Sequence, residues 1–412
     1  MRDERAILSK VSPRSGFSGE ALPLFDSEPF TADVIQHLDN HAIPVYRGEF
    51  WTSKQRQAHS IHEVSYRGCY KPQLPAFFIR RFCTPGDVVF DPFMGRGTTL
   101  IEAQLHGCRA IGNDINPLGR ILTEPRLCPP TMMEIYKRLA NLDLHYAGPK
   151  DEELLVFFHP DTLNELYAWR LYFKHRIDEN KYDRTDAWLR MVACNRLTGH
   201  SPGFFSVYTL PPNQAASVKS QRRINDRKEQ HPEYRDTKEL IMRKSKRLLR
   251  DPLPKHFFRR DYSLYCLSAD KMTPIPSQSI KLVVTSPPFL DNINYIQDNW
   301  LRMWFCDIQI ATDNVWQFHH LADWLEKMTM TFVELKRLLI DNGIIAFEVG
   351  EMRKGRLRLE NDVVGAAIRA GLFPECIMIN SQRFTKTSNC WGVTNNTRGT
   401  NTNRIVVLKK RP

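Results

Sequence analysis

The stretch PGDVVFDPFMGRGTTLIEAQLHGCRAIGNDINPLG, residues 85–119, decides the fold class. Its apolar run at 87–90 predicts a short buried strand, and the residues at 98–106 predict a helix that Gly107 ends. A second apolar run at 109–112 predicts another strand. The order strand, helix, strand requires a crossover connection, so the two strands are expected to lie parallel in one sheet of an α/β protein.

The composition is that of a globular protein with an excess of positive charge. The 412 residues are 42% hydrophobic and 25% charged, with a formal net charge of +12 and a pI of about 9.3. This excess favours a polyanionic partner such as nucleic acid, although surplus surface lysines give the same balance. The nine cysteines form no C-x-x-C pair, which predicts a reduced, cytoplasmic protein without a zinc site. No apolar run approaches the ~20 residues of a membrane span.

The loop between the first strand and the helix, DPFMGRGTT, has the residues of a ligand-binding turn. Gly95 and Gly97 permit a sharp turn and a close approach of backbone N–H groups to a ligand. Asp91 stands at the carboxyl end of its strand, the edge at which open α/β sheets bind ligands. Asp114 ends the next strand 23 residues later, a spacing that suits a carboxylate bound to a ribose, although Asp114 could also cap the following helix.

Two nucleotide-binding loops of similar composition fit less well. A phosphate-binding loop requires Gly-Lys-Ser/Thr, which does not follow, and a dinucleotide-binding loop requires a third glycine where Leu100 stands. The carboxylate of Asp91 would also repel a pyrophosphate, and it suits a ligand that carries an ammonium or a sulfonium. Taken alone, a G-x-G turn is a weak signal.

The stretch VVTSPPFLDNINY, residues 283–295, predicts a rigid polar notch. The two prolines end a strand, hold the backbone extended and remove two N–H donors, which leaves carbonyl oxygens without a local partner. The Ser286 hydroxyl and the Pro287 carbonyl could accept the hydrogens of a planar amine, and the Phe289 ring could stack on the group that carries it. A plain loop is the alternative, and it is our interpretation of the second Pro-Pro pair, in YTLPPNQ at 208–214.

Together, DPFMGRGTT and TSPPF resemble the motif pair of the S-adenosylmethionine-dependent DNA methyltransferases that modify exocyclic amino groups. The resemblance covers roughly 70–120 and 260–412, and it includes KPQLPAFFIRRF, 71–82, which is similar to the segment that closes over the methionine end of the cofactor. The serine of S-P-P-F resembles the cytosine-N4 subgroup, whereas adenine-N6 enzymes usually carry Asp or Asn there. Many cytosine-N4 members have the two motifs in the opposite order, so the order does not support this choice of base.

The resemblance implies two sets of site residues. The predicted site for the cofactor, S-adenosyl-L-methionine, comprises Asp91, Pro92, Phe93, Gly95, Gly97, Thr98, Thr99, Asp114, Asp270 and Pro75. The predicted catalytic set comprises Ser286, Pro287, Pro288 and Phe289. The expected reaction is methyl transfer to the N4 amine of a cytosine extruded from duplex DNA, with adenine-N6 methylation as the alternative. The proton released could leave to water or through Ser286.

Other activities fit the motifs less well. Cytosine-C5 methylation needs a cysteine nucleophile, usually in a Pro-Cys pair. The chain contains no Pro-Cys pair. Related enzymes that methylate RNA or a protein glutamine use Asn-Pro-Pro-Tyr, from which Ser286 and Phe289 differ. A binding module that has kept the fold and lost the activity is a further alternative, and the intact motifs weigh against it.

The segment 219–250 is strongly basic. It holds 12 Lys and Arg against 5 Asp and Glu. A solvated helix with i,i+4 ion pairs has this composition, but a DNA-modifying site on the same chain favours contact with phosphates. The predicted phosphate contacts are Arg222, Arg223, Lys244 and Arg247. The expected partners are double-stranded DNA and, as in restriction–modification systems, a cognate restriction endonuclease, with no membrane.

The predicted fold is a doubly wound, Rossmann-like α/β sheet of seven mostly parallel strands with a helical, basic insertion. Further strands are predicted at 280–284, 343–349, 375–379 and 404–409. The chain is divided into an N-terminal extension, a cofactor-binding half, an inserted helical target-recognition region and a catalytic half, at 1–60, 61–130, 131–260 and 261–412.

Overall fold

The computed structural model describes residues 33–38, 41–51, 58–288, 294–310, 315–349, 359–381 and 402–411. Within these ranges, no helix is both long enough and apolar enough to cross a bilayer.

A single mixed sheet runs through the molecule. Its nine described strands are β1 (Val34–Leu38), β2 (His41–Gly48), β3 (Val88–Asp91), β4 (Arg109–Asn113), β5 (Tyr262–Tyr265), β6 (Ile280–Thr285), β7 (Leu339–Val349), β8 (Phe373–Ser381) and β9 (Thr402–Lys409). They lie side by side in the order β1-β2-β8-β9-β7-β6-β3-β4-β5. The pairs from β7 through β5 are parallel, and β9 is antiparallel to both of its neighbours.

The predicted fold class is confirmed, and the sheet is larger than predicted. The seven strands from β8 to β5 form the predicted, mostly parallel sheet. The other two, β1 and β2, come from residues 34–48 of the predicted N-terminal extension, so nine described strands replace the predicted seven. β2 pairs in parallel with β8 and buries Ile43 and Val45. Its short and interrupted apolar pattern becomes a strand only because β8 offers an open edge.

Helices cover both faces of the sheet. Those outside the insertion are α1 (Gln73–Phe82), α2 (Thr98–Leu105), α3 (Pro117–Leu127), α9 (Tyr295–Asp298), α10 (Trp300–Phe305), α11 (Leu321–Leu338) and α12 (Leu359–Arg369). Successive residues of β3 point to opposite faces of the sheet. Val89 packs in the core that holds Phe78 of α1, and Phe90 packs in the core that holds Phe332 of α11. This two-faced burial explains why the central strands are apolar without alternation.

The insertion between α3 and β5 is helical, as predicted. Its helices are α4 (Met132–Ala140), α5 (Pro160–Asp178), α6 (Arg184–Arg196), α7 (Val218–Lys228) and α8 (Thr237–Leu248). Two buried tryptophans anchor α8: Trp169 donates to the Thr237 hydroxyl and Trp188 donates to the Ser245 hydroxyl, each at 2.9 Å. α6 also packs against α3, so the insertion lies on the face of the sheet that carries α1 and α2. The boundaries of the four regions stay predictions.

The strand order places the two sequence motifs side by side. β3 lies between β4 and β6, and all three strands are parallel. The register pairs Val89 with Leu282 and Phe90 with Val283, so the next residues of both strands reach the same edge of the sheet. The chain continues from β3 to β4 on one side and from β6 to β7 on the other, so the edge between β3 and β6 is a topological switch point, where α/β sheets open a crevice.

Candidate functional site

A cleft opens at the carboxyl edge of the sheet, beyond the ends of β3, β4 and β6. Counted out to its open mouth, it has a volume of about 850 Å³. We call it the first cleft. Its lining contains predicted site residues from both halves of the sheet, namely Asp91, Pro92, Phe93, Gly95, Thr98, Asp114, Ser286 and Pro288.

The glycine loop forms one wall of the first cleft. Gly95 and Gly97 have φ angles of +49° and +72°, in the left-handed region that favours glycine. A Cβ atom on Gly97 would lie 2.3 Å from the Thr123 side chain, well inside van der Waals contact. The turn from β3 into α2 therefore requires glycine at this position.

Asp114 follows β4 and faces the same cleft. Its Oδ2 accepts the N–H of Gly95 and its Oδ1 accepts the N–H of Asn116, each at 2.9 Å. Burial raises the pKa of the Asp114 carboxyl to about 6, and the two backbone N–H groups oppose that rise. The N-cap of α3 is Asn116, whose side chain accepts the N–H of Leu118. Asp114 is thus a half-buried carboxylate in the cleft and does not cap the helix.

Asp91 connects β3 to β6. Its Oδ1 accepts the Thr285 hydroxyl at 2.6 Å and the N–H of Phe93 at 3.1 Å, and its Oδ2 accepts the Tyr70 hydroxyl at 2.8 Å. Burial raises the pKa of the Asp91 carboxyl to about 6, although these donors favour the charged form. Thr285 is the last residue of β6, so the hydrogen bond fixes where the next residue, Ser286, stands relative to the glycine loop.

The S-P-P segment reaches the first cleft through Ser286 and Pro288. Ser286 Oγ is buried and makes no well-formed hydrogen bond with any described residue. The Pro288 carbonyl accepts the indole N–H of Trp324 at 2.9 Å, which holds the segment from behind. No residue in the described ranges donates to the Pro287 carbonyl. The fourth predicted catalytic residue, Phe289, lies outside the described residues.

A buried carboxyl group, Glu348, lies behind Ser286. Glu348 is 6% exposed, near the end of β7, and its Oε1 accepts the Asn403 amide at 3.0 Å. Burial raises the pKa of Glu348, and the Ser286 hydroxyl and the Asn403 amide oppose the rise. The Ser286 hydroxyl is therefore near enough to interact with this carboxyl.

The other predicted site residues within the described ranges do not line the first cleft, namely Pro75, Gly97, Thr99, Asp270 and Pro287. Thr99 donates to the Val284 carbonyl at 3.1 Å and supports Tyr70. Asp270 accepts the Ser268 hydroxyl at 2.5 Å and lies 3.1 Å from the Lys327 ammonium. Ser268 lines the first cleft, so Asp270 supports the cleft wall through its hydrogen bond with Ser268.

Four aromatic side chains of the first cleft carry no role in the sequence motifs: Tyr66, Tyr70, Tyr295 and Trp316. The rings of Tyr66 and Tyr295 lie nearly parallel, with centroids 6.5 Å apart. Trp316 contacts Phe93 with ring centroids 5.9 Å apart and extends the apolar wall that the glycine loop begins. Tyr295 ends the proline-bearing stretch quoted above, so its position was a usable signal, whereas Trp316 stands near no motif.

A second, larger cleft adjoins the first. It has a volume of about 1960 Å³ out to its mouth, and both clefts are lined by Tyr66, Gly68, Cys69 and Arg96. Its lining contains the cations Lys71, Arg96, Arg196, Arg243, Lys244 and Arg247. The only carboxylate of that lining is Glu63. A concave surface with this charge concentrates anions.

The predicted DNA contacts divide between two surfaces. Lys244 and Arg247, on α8, line the second cleft. Arg222 and Arg223, on α7, are exposed and lie outside its lining. Arg222 is 3.8 Å from the Glu153 carboxylate. The sequence showed one basic run, but the two helices present their charges to different places.

The loop with the second Pro-Pro pair joins the insertion to the segment after S-P-P-F. Arg302 donates to the Pro212 carbonyl at 2.5 Å, and the N–H of Ala215 donates to the Asp298 carbonyl at 2.9 Å. Pro211 and Pro212 line the second cleft. As predicted from its residues, this loop belongs to the insertion, and it forms part of the wall next to the active-site segment.

Comparison with known proteins finds a match for the part of the chain that holds the glycine loop. Residues 33–118 match the profile of a family described as DNA methylase. Within this stretch the chain is similar to the DNA methylases, as its glycine loop predicts. This match and the curated relatives bear out the predicted family resemblance, and with it the predicted cofactor, S-adenosyl-L-methionine.

Three curated relatives are Type II methyltransferases. M.MjaII of Methanocaldococcus jannaschii is 35% identical over 89 residues, 22% of this chain and 16% of that protein. M.MvaI of Kocuria varians is 29% identical over 117 residues, 28% of this chain and 24% of that protein. M.BsoBI of Geobacillus stearothermophilus is 26% identical over 155 residues, 31% of this chain and 30% of that protein. The chain thus spans less than a third of the length of each relative.

The first cleft has groups that fit S-adenosyl-L-methionine. The aromatic wall of Phe93 and Trp316 suits the adenine. Each carboxylate oxygen of Asp114 accepts one backbone N–H and retains a lone pair for a ribose hydroxyl. Asp91 places negative charge in the same cleft, which suits the ammonium and sulfonium groups.

Proposed function

We propose that the chain is a site-specific DNA methyltransferase that modifies the exocyclic N4 amine of cytosine. The observation that carries this proposal is the shared lining of the first cleft: the Asp91 and Asp114 carboxylates and the Ser286 hydroxyl open into one space. The serine before the two prolines favours cytosine-N4 over adenine-N6 by resemblance to the cytosine-N4 subgroup.

The residues of the S-P-P segment act on the amine of the target base. That amine is conjugated with its ring, so its lone pair is a poor nucleophile. Hydrogen bonds from the amine to Ser286 Oγ and the Pro287 carbonyl pull the nitrogen toward tetrahedral geometry and stabilise the positive charge that develops on it. S-adenosyl-L-methionine supplies a methyl group on a positively charged sulfur. Trp324 and Thr285 hold the segment on both sides, so orientation is fixed before the base arrives.

Glu348 suits the role of proton acceptor. The methylated nitrogen must lose one proton, and Ser286 can pass it on only to a group nearby. The Glu348 carboxyl lies behind the serine, and burial raises its pKa toward the range in which a carboxylate accepts a proton readily. A route from the amine through Ser286 to Glu348 therefore needs no water in the first cleft.

The second cleft suits the DNA strand that carries the target base. Because the target atom is inaccessible within a duplex, the base has to leave the helix. The two clefts adjoin at Tyr66, Gly68, Cys69 and Arg96, so a strand in the basic cleft can present one base to the first cleft. Tyr66 lies at this junction, and its ring lies nearly parallel to that of Tyr295 in the first cleft, so the two provide flat surfaces for a base.

Labelled methyl transfer tests the proposal. Purified full-length protein with duplex DNA and methyl-labelled S-adenosyl-L-methionine should place label in DNA, and nucleoside mass spectrometry should identify N4-methylcytosine. N6-methyladenine would correct the base and retain the active-site chemistry. Label in RNA or protein but not in DNA would refute the substrate, and DNA binding without transfer would leave a binding module.

The names of the curated relatives suggest a place in a restriction–modification system. In such a system, a cognate endonuclease cuts the sequence that the methyltransferase protects. DNA modified by this chain should then resist one endonuclease from a panel that cuts unmodified DNA. Sequencing of a modified genome would give the recognition site.

A further inference from the structure

The floor of the second cleft holds more positive charge than its neighbours neutralise. Arg196 ends α6, and Lys244 and Arg247 lie one turn apart on α8. The only carboxylate of the cleft lining, Glu63, lies among them. Its Oε2 is 2.5 Å from Arg247 Nε and 3.7 Å from Lys244 Nζ, and its backbone carbonyl accepts Lys244 at 2.5 Å.

One carboxylate is too little for this cluster. Lys244 is only 7% exposed, and burial, followed by the charge of Arg196, lowers the pKa of its ammonium to about 7. Burial and then Arg247 lower the pKa of Arg196 to about 9. A desolvated cation is costly unless an anion accompanies it. The folded protein therefore keeps a cluster that a further anion would stabilise.

We propose that a backbone phosphate of the bound DNA sits among Arg196, Lys244 and Arg247, and that Glu63 fills this phosphate site until the DNA displaces it. The inference rests on the proposed function in one respect, the identity of the nucleic acid. The site itself follows from the charges and contacts of the cleft.

The geometry favours a phosphodiester over a carboxylate ligand. Arg196 lies over the Phe204 ring, 4.0 Å from its centroid, so its guanidinium is held in place. Arg247 has a side chain that is 66% exposed, so it can turn from Glu63 to a new anion without unfolding its helix. Two guanidinium groups and one ammonium around one position match the several oxygens of a phosphate. The cleft also leads to the first cleft, where the target base is expected.

Removing the competing carboxylate should tighten DNA binding. Glu63→Gln keeps the size of the side chain and frees the cations, so the dissociation constant for a duplex should fall roughly tenfold. Glu179→Gln is the matched control, because it changes the net charge equally and its exposed side chain pairs with Lys181, outside the cleft lining. It should change the dissociation constant less than about twofold.

Arg247→Gln completes a double-mutant cycle with Glu63→Gln. This exposed substitution should weaken DNA binding, and Glu63→Gln should gain less in its presence than in the wild-type protein. Binding is measured by fluorescence anisotropy at one fixed salt concentration, without cofactor, and far-UV circular dichroism checks that each variant is folded. Inorganic phosphate is the competing probe for a free anion, and it should displace DNA only at millimolar concentration.

Each outcome decides something. If Glu63→Gln and its control substitution tighten DNA binding equally, or if Glu63→Gln does not tighten it, the phosphate site is refuted. Neither result bears on the proposed methyltransferase activity. Inorganic phosphate that binds as tightly as DNA would assign the site to a free anion and refute the backbone contact. If the variants bind DNA as expected but the wild-type protein transfers no methyl group, only the proposed function is refuted. Absence of DNA binding by every variant would refute both.

Discussion

Thr285 donates a 2.6 Å hydrogen bond to Asp91. The two residues are 194 positions apart in sequence, yet each is the last residue of its strand, and β3 and β6 are neighbours. The bond joins the two motifs of the family at their base. It sets the position of Ser286, the next residue, relative to the glycine loop, and so couples the amine-binding notch to the cofactor site.

Thr285→Val tests this connection. The substitution keeps the shape of the side chain but leaves the buried Asp91 carboxylate without one donor. The free energy of unfolding should fall by roughly 1–3 kcal/mol, and turnover should fall because Ser286 is no longer held. Urea unfolding and methyl transfer measure the two effects. Thr285→Ser retains the hydroxyl and should recover most of both; a valine variant with normal stability and turnover would contradict the role of the bond.

Ser286→Ala should reduce turnover with little change in cofactor affinity. The alanine removes one of the two acceptors for the amine, and the loss of one such transition-state contact typically costs ~10²-fold in rate. Cofactor binding should be preserved because the glycine loop and Asp114 are untouched. Single-turnover methyl transfer and calorimetric titration with cofactor separate the effects. Full turnover in the alanine variant would remove the acceptor role.

Residues near each other in sequence were predictable, and those brought together by packing were not. The β-α-β unit was predictable because a buried strand, a glycine turn and a periodic helix lie within one stretch of about 30 residues. Its observed elements, Val88–Asp91, Thr98–Leu105 and Arg109–Asn113, differ from the predicted bounds by one residue. The S-P-P notch followed for the same reason, since two prolines after a buried strand carry their own conformational signal.

The rest of the site depends on partners that lie far away in sequence. Trp316 joins the first cleft through contact with Phe93, and no local pattern announces that contact. β2 becomes a strand because β8 offers it an edge, and β1 pairs in turn with β2. Lys244 and Arg222 belong to the same basic run, but the face of each helix decides that Lys244 reaches the second cleft and Arg222 does not.

Glu348→Gln should slow methyl transfer and preserve cofactor binding. Glutamine has nearly the same volume and can keep the contact with Asn403, but it cannot take a proton from Ser286. The rate of the chemical step should fall by about 10-fold or more, and the pH dependence that belongs to this carboxyl should disappear. Single-turnover rates between pH 5.5 and 8.5 test this. If the variant has the same pH profile as the wild-type protein, Glu348 has only a structural role.

Trp316→Ala should weaken cofactor binding without a matching loss in turnover at saturation. The indole extends the apolar wall at Phe93, and loss of an aromatic contact costs roughly 1–3 kcal/mol, which is about 10- to 100-fold in the dissociation constant. Trp304→Ala, in α10 and outside the lining of the first cleft, is the control. Equal cofactor affinity in the Trp316 variant and the wild-type protein would place the adenine elsewhere.

Cofactor affinity should depend on pH through Asp114. Burial raises its pKa from 3.8 to about 6 in the free protein, so part of the population is protonated below that pH. A ribose hydroxyl needs a carboxylate as acceptor, and the dissociation constant for the cofactor should therefore rise as pH falls below about 6. The same shift means that the carboxyl favours the folded state below pH 3.8 and that this contribution is lost as pH rises through about 6. Asp114→Asn should bind the cofactor weakly, with little pH dependence between about pH 5 and 7.5. Isothermal titration across that range measures the dissociation constant for the cofactor in the wild-type protein and in the variant. The same pH dependence in the Asn variant would move the titrating group to Asp91, whose pKa is raised to about 6 by the same cause.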